Sequence, residues 1–273
     1  MDAIKKLLFL IVVIGVATIA CFYFLQEKML FIRQPVSQER LAYIRNTYPT
    51  NIEEISIMTP DNIELHGWLV KNSPYKKSPL IIYFGGNAEE VSWQIENAFK
   101  IDNWSMALIN YRGYGLSQGK PGQKHLYNDA VEIYDYFSQR NDIDAGQIAV
   151  MGRSLGTGVA IHLAKERDLK GIILISPYDS IANVAKETFP SILVSNLLKH
   201  PFNVVEIAHD LKVPLLAITA SEDRVISQER SQKLIESWGG NYFWHVIQDR
   251  GHNDLHYDGS FIKKINEFLL SLT

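Results

Sequence analysis

The sequence predicts an α/β protein: a mostly parallel central sheet with helices on both faces and a small helical cap, preceded by one transmembrane helix. Three observations predict it. From Leu80 onward, short apolar runs alternate with stretches of helical spacing, the pattern of parallel strands joined by helical crossovers. One such unit, Gln147 to Lys165, places Gly152-Arg153-Ser154-Leu155-Gly156 between its strand and its helix. Finally, Leu7 to Leu25 carries no charge, and as a helix it is about 28 Å long, close to the ~30 Å hydrocarbon core of a bilayer.

Lys5-Lys6 precede that apolar run and Gln26-Glu27-Lys28 follow it. A cleaved signal peptide has a shorter apolar region ending in small residues, whereas here Phe22-Tyr23-Phe24 continue the run. Thr18-Ile19-Ala20-Cys21 fits a lipoprotein cleavage box poorly, since Thr18 is out of place and the run continues past the cysteine. Residues 1–26 therefore read as an uncleaved membrane anchor and residues 27–273 as the soluble domain. Lys5 and Lys6 favour a cytoplasmic tail and a domain on the non-cytoplasmic side, while Lys28, Arg33 and Arg40 pull the other way.

After a connector to Tyr48 with a short helix at Ser37 to Asn46, Ile55-Ile57 and Ile63-Leu65-Trp68-Val70 flank the turn Pro60-Asp61-Asn62 and predict an antiparallel hairpin. Leu80 to Phe84 is a buried strand, Glu89 to Ile101 a helix, Ser105 to Asn110 a strand and His125 to Arg140 an amphipathic helix. The strand Ile148 to Met151 and the helix Gly156 to Lys165 follow, then a strand at Gly171 to Ile175. Residues 180–211 have apolar residues without strand rhythm and predict the cap. Pro214 to Thr219 and Tyr242 to Ile247 are the last strands, with helices at Gln228 to Trp238 and Phe261 to Leu272.

A chain of 273 residues with 47% hydrophobic and 21% charged content suits one α/β domain plus an appendage. A net charge of −3, with Lys and Arg scattered, points to no nucleic-acid partner. The single cysteine, Cys21, excludes an internal disulfide framework and a cysteine zinc site.

G-x-S-x-G occurs by chance about once in ten random chains of this length, and this chain holds two copies. Gly115-Leu116-Ser117-Gln118-Gly119 follows Tyr111-Arg112-Gly113-Tyr114 and runs into Lys120-Pro121-Gly122, which makes it a loop. The copy at Ser154 sits between strand and helix, where the motif forms a nucleophile elbow with the hydroxyl exposed above the sheet. Ser154 is the candidate nucleophile.

A serine hydroxyl needs a base, and the base needs a partner that fixes its tautomer. With an elbow of this kind the order along the chain is Ser, acid, His. Ser221-Glu222-Asp223 follows the strand ending at Thr219, and Gly251-His252-Asn253-Asp254 follows the strand ending at Ile247. Asp223 is assigned as the acid, with Glu222 its neighbouring alternative, and His252 as the base among eight histidines. His252, Asp254, His256 and Asp258 have spacing that invites a metal, but they lie in loop and no further cluster supports one, so no metal is expected. The intermediate's oxyanion needs preorganised donors. The Leu155 amide at the helix start is one, and the loop Gly85-Gly86-Asn87-Ala88 supplies the other, assigned to Asn87 with Ala88 beside it.

Several of these stretches resemble the membrane-anchored α/β-hydrolases of the BEM46-like, α/β-hydrolase-domain group. They are Gln34-Pro35, Tyr83-Phe84-Gly85-Gly86-Asn87-Ala88, Asn110-Tyr111-Arg112-Gly113-Tyr114-Gly115, Gly152 to Gly158, Ser176-Pro177-Tyr178, Asp223 and Gly251-His252-Asn253-Asp254. Gly85 stands where that family usually has histidine, so the side-chain support of the oxyanion loop is missing. The resemblance implies hydrolysis of an acyl ester or thioester, with lipids or acylated proteins as substrates. No cofactor is expected. Tyr178 and Phe189, with Ile192 and Leu193, are the candidate wall of an acyl pocket. A serine peptidase or amidase, and a catalytically idle membrane scaffold, are the competing readings.

Overall fold

The computed structural model describes residues 2–272. Eight strands, β1 (Ile52–Met58), β2 (Glu64–Val70), β3 (Ser78–Phe84), β4 (Ser105–Ile109), β5 (Ile143–Arg153), β6 (Ile172–Ile175), β7 (Leu215–Ala220) and β8 (Tyr242–Ile247), form one sheet. Their order is β1-β2-β4-β3-β5-β6-β7-β8. β2 runs against both its neighbours and every other pairing is parallel. The hairpin between β1 and β2 closes where Asn62 takes a φ of 60°, a left-handed conformation that asparagine tolerates.

The described residues form ten α-helices: α1 (Asp2–Leu30), α2 (Gln38–Thr47), α3 (Ile95–Ala98), α4 (Gln123–Ser138), α5 (Leu155–Glu166), α6 (Ile181–Lys186), α7 (Ser191–Leu197), α8 (Val205–Ala208), α9 (Gln228–Glu236) and α10 (Gly259–Leu272). On one face of the sheet the core is built from α4, α5 and α9 through Ala130, Ile133, Phe137, Val159, Leu163 and Leu234. On the other it is built from α2, α3 and α10 through Ile44, Ile95, Ile265 and Phe268. β3, β6 and β7 are buried along their whole length, which is why they read as continuous apolar runs rather than alternating ones.

Two elements depart from the sequence pattern. Residues 89–101 form a 3-10 turn (Val91–Gln94) and the single turn α3 instead of one helix. The Glu90 carboxylate accepts the Ser92 amide and the Asn110 side-chain oxygen accepts the Val91 amide, so side chains cap the segment where a longer helix would begin. β5 starts at Ile143, five residues before the apolar run: Ile143 is buried and pairs with Ser78 of β3, while residues 144–147 are partly or fully exposed and break the apolar pattern.

Residues 180–211 hold α6, α7 and α8 above the carboxyl ends of the parallel strands. α1 is continuous to Leu30, long and apolar enough to cross a membrane. Most of its large apolar side chains face outwards, but near its end Phe22 and Gln26 are buried against the cap.

Candidate active site

β5 ends at Arg153 and α5 starts at Leu155, which leaves Ser154 alone at the turn with φ 50° and ψ −118°. An L-residue holds this conformation only when its surroundings impose it. Here the Ser154 amide donates to the Ile175 carbonyl at 2.8 Å, and its carbonyl accepts the amide and hydroxyl of Thr157 at 2.9 and 2.7 Å. The flanking glycines admit the helix. A Cβ on Gly152 would lie 2.4 Å from the Gly156 carbonyl oxygen, and one on Gly156 would lie 2.1 Å from that of Phe84. No side chain fits either position, so α5 lies directly against the end of β3.

The loops after β7 and β8 bring the other two groups to this point. His252 Nε2 lies 3.0 Å from Ser154 Oγ, and His252 Nδ1 lies 2.7 Å from Asp223 Oδ2. The second carboxylate oxygen, Asp223 Oδ1, accepts the amides of Val225 and Ile226 at 2.9 and 2.8 Å. Burial alone would raise the Asp223 carboxyl, but the hydrogen bond and charge of His252, with those two amides, outweigh it and hold the group below its ordinary value. The partner of the imidazole is Asp223, not Glu222. Ser117, in the second G-x-S-x-G, is buried. Its hydroxyl accepts the His66 amide and donates to the Asn110 carbonyl at 2.8 and 3.0 Å, a purely structural loop contact.

The glycine loop after β3 is held at the carbonyls of Gly85 and Asn87. Tyr111 and Tyr114 donate their hydroxyls to the carbonyls of Gly85 and Asn87 at 2.9 and 2.7 Å, and the Ile32 amide also donates to Asn87 at 3.0 Å. This explains the Tyr-Arg-Gly-Tyr-Gly stretch: its two hydroxyls hold the loop. With the Asn87 carbonyl turned toward Tyr114, the Ala88 amide of the same trans peptide points away, and Ala88 borders a separate cavity of about 190 Å³. Asn87, Leu155 and Ser154 border one common cavity of about 420 Å³. The Leu155 amide, first in its helix, has no intrahelical acceptor.

Sequence reasoning missed the clamp beneath this loop. The Glu89 carboxylate accepts the Gly86 amide at 2.9 Å, the Tyr83 hydroxyl at 2.8 Å and the Gln94 side chain at 2.7 Å, and it pairs with Arg153 at 3.1 Å. Arg153 in turn donates to the His252 carbonyl and to Asn253 Oδ1 at 3.3 and 2.9 Å. The support that Gly85 cannot give by a side chain thus comes from Glu89, and the same ion pair ties the glycine loop to the histidine loop. The one visible signal was an arginine at the variable position of the elbow. Glu89→Gln keeps the shape and loses the charge. It is expected to lower kcat on a small ester about tenfold with KM little changed, and steady-state kinetics check it.

Phe189 borders the Ser154 cavity. Tyr178 does not. It is fully buried behind the elbow helix, its hydroxyl 3.2 Å from the Leu155 carbonyl and in the space a Cβ on Gly158 would need. The expectation that Tyr178 lines the acyl pocket is therefore corrected: the strand end turns its ring under α5, not toward the cap. Wall positions that the sequence did not single out are Phe22, Met29 and Leu30 of α1 and Ile181 and Val184 of α6. Among the described residues no group of three His, Cys, Asp or Glu could hold a metal ion; Asp254 Oδ1 accepts the Gly251 amide and Asp258 Oδ1 that of Ser260.

Residues 77–199, which run from β3 into the cap and include Ser154, match the family model Hydrolase_4, described as serine aminopeptidase, S33. The chain is 28% identical over 242 residues to the alpha/beta hydrolase domain-containing protein WAV2 of Arabidopsis thaliana, covering 79% of this chain and 75% of that one. It is 27% identical over 227 residues to the bem46 protein of Schizosaccharomyces pombe, covering 80% and 76%. Among solved structures, an alpha-beta hydrolase from Vibrio vulnificus is similar with a TM-score of 0.71 at 18% identity, covering 88% of each chain. The Pyrococcus furiosus esterase Pf2001 is similar with a TM-score of 0.63 at 20% identity, covering 81% of this chain and 90% of that one. By its sheet order, its elbow and these likenesses, the chain has the α/β-hydrolase fold.

Proposed function

We propose that this chain is a membrane-anchored serine hydrolase that cleaves carboxylic esters or thioesters of lipid-like acyl groups. The observation that carries the reading is the unbroken line from Ser154 Oγ through His252 to Asp223, at 3.0 and 2.7 Å, on an elbow that opens into an apolar cavity. Its volume of about 420 Å³ lies within the ~300–1,000 Å³ of small-molecule sites.

In this mechanism His252 Nε2 takes the Ser154 proton as Oγ attacks the acyl carbonyl carbon. The carbonyl oxygen becomes an oxyanion held by the amides of Leu155 and Asn87. The intermediate collapses, the leaving alcohol or thiol departs with the proton from His252, and an acyl-serine ester remains. Water then attacks that ester, gives its proton to His252, and releases the acid and free Ser154. Every step is proton transfer and acyl transfer, with no cofactor. α1 is the anchor, and Lys5 and Lys6 favour the domain on the non-cytoplasmic side, against Lys28, Arg33 and Arg40.

The family description raises peptidase chemistry as the second reading. An aminopeptidase must neutralise the substrate's terminal ammonium, and among the described residues no Asp or Glu borders the Ser154 cavity, whose charged member is Arg224. That favours a neutral acyl group. The test is a comparison of p-nitrophenyl esters and acyl thioesters of rising chain length with aminoacyl p-nitroanilides. Turnover of esters or thioesters that improves with chain length supports the proposal, and turnover of the anilides alone contradicts it. A folded protein that turns over neither is the idle scaffold.

A further inference from the structure

The last turns of α1 are built into the domain. Phe22, Gln26, Met29 and Leu30 recur at the spacing of one helix face and border the cavity that holds Ser154. The Phe22 ring meets Phe189 of the cap edge-on, with centroids 5.3 Å apart. The buried Gln26 side chain donates to the Leu197 carbonyl at 3.0 Å and accepts the Lys199 amide at 2.8 Å, so both ends of its amide are committed to the cap. Two residues after the helix, Ile32 donates to the carbonyl of Asn87 at 3.0 Å. The helix thus touches the cap and the cavity, and the residues that leave it touch the glycine loop.

The other faces of that helix are apolar and exposed, through Phe9, Ile14, Val16, Ile19 and Phe24, as a membrane span requires. Phe22 belongs to the same uncharged run and also borders the cavity. The lipid-facing surface and the cavity lining are therefore continuous along α1. Beside it, α7 exposes Ile192 and the cavity rim exposes Val225, both more than half accessible. Large apolar groups so placed fit a hydrocarbon surface and not bulk water.

Resting on the ester-hydrolase reading above, we propose that the acyl chain of a bilayer-resident lipid ester enters sideways from the membrane between α1 and the cap. The anchor is then one wall of the substrate site and a determinant of acyl-chain selectivity, not a tether alone. Acyl carbons beyond the ester lie along Phe22, Met29 and Phe189, and the headgroup side faces the rim near Arg224.

The test uses the purified full chain in detergent micelles. Met29→Trp fills the path beside α1. It is expected to lower the ratio of kcat/KM for p-nitrophenyl decanoate over p-nitrophenyl acetate about tenfold or more, the loss of contact for two or more methylenes. Phe9→Ala, on an exposed face far from the cavity, leaves that ratio unchanged. An unchanged ratio in Met29→Trp that still labels with a fluorophosphonate overturns the proposal. A second measurement does not depend on how the variant tolerates bulk. In a Cys21→Ala background, Met29→Cys is expected to react with a thiol reagent when Ser154 carries a methyl fluorophosphonate and to be shielded when it carries a dodecyl one. Equal reactivity in the two adducts overturns the sideways route. Failure of the wild-type protein to label at all removes the hydrolase reading, and this inference with it, and is told apart from the other failures by the label itself.

Discussion

Ser154→Ala is expected to reduce kcat on any ester by about a million-fold, the scale on which removing the nucleophile of a serine triad costs as much as removing the whole triad. Ser154 Oγ is the only atom in the line that forms a bond to carbon, so no neighbour replaces it; Ser117, whose hydroxyl is committed to His66 and Asn110, cannot. Fold and stability are expected to hold, because the backbone contacts that impose the strained turn run through the Ser154 amide and carbonyl and not through the hydroxyl. An alanine at φ 50° stores the same strain as the serine. Circular dichroism and thermal melting that match wild type, with turnover at the level of the uncatalysed reaction plus what oxyanion and binding contacts supply, are the expected results.

Asp223→Asn is expected to lower kcat about 10⁴-fold with the geometry intact. The size of the loss follows from the two amides behind the side chain. Val225 and Ile226 both donate to Oδ1, so in the variant the amide oxygen must take that place and the NH2 must face His252 Nδ1. The imidazole then accepts at Nδ1 and carries its proton on Nε2, where it cannot take the proton of Ser154. Glu222→Gln, one residue away, is expected to stay within a few-fold of wild type. Stability reports the same carboxylate independently. Its value is depressed in the fold, so its contribution to stability is present above the ordinary carboxylate range near ~4 and is lost as pH falls through the folded value. The melting-temperature gap between wild type and Asp223→Asn is therefore expected to be present at neutral pH and to shrink below about pH 4. A constant gap to pH 3 contradicts this.

Much of the architecture was legible because parallel strands buried on both faces leave continuous apolar runs, and β3, β6 and β7 are of that kind. Ser154, Asp223 and His252 were legible for a second reason: in an open α/β sheet, residues just past the carboxyl ends of strands meet at one edge wherever they lie in sequence. Three features were not. The segment 89–101 has helical spacing, but buried Glu90 accepts the Ser92 amide and Asn110, nineteen residues from Val91, accepts the Val91 amide, a contact that periodicity does not contain. Tyr178 stands at the right strand end, yet which way a ring turns at such a point is decided by the room beside Gly158. The wall formed by α1 was hidden because an apolar residue reads the same in sequence whether lipid or a substrate cavity lies against it, as Phe24 and Phe22 illustrate. Glu89 and Arg153 escaped notice because neither is chemically remarkable until they are seen to join two loops.

The most direct test of the central claim is covalent labelling by a fluorophosphonate, comparing wild type with Ser154→Ala, Ser117→Ala and His252→Ala. The geometry predicts that the wild-type protein and Ser117→Ala carry the label, that the modified peptide contains Ser154, and that Ser154→Ala and His252→Ala do not label. Labelling that survives Ser154→Ala, or a folded wild-type protein that does not react, would contradict the assignment of Ser154 as the nucleophile.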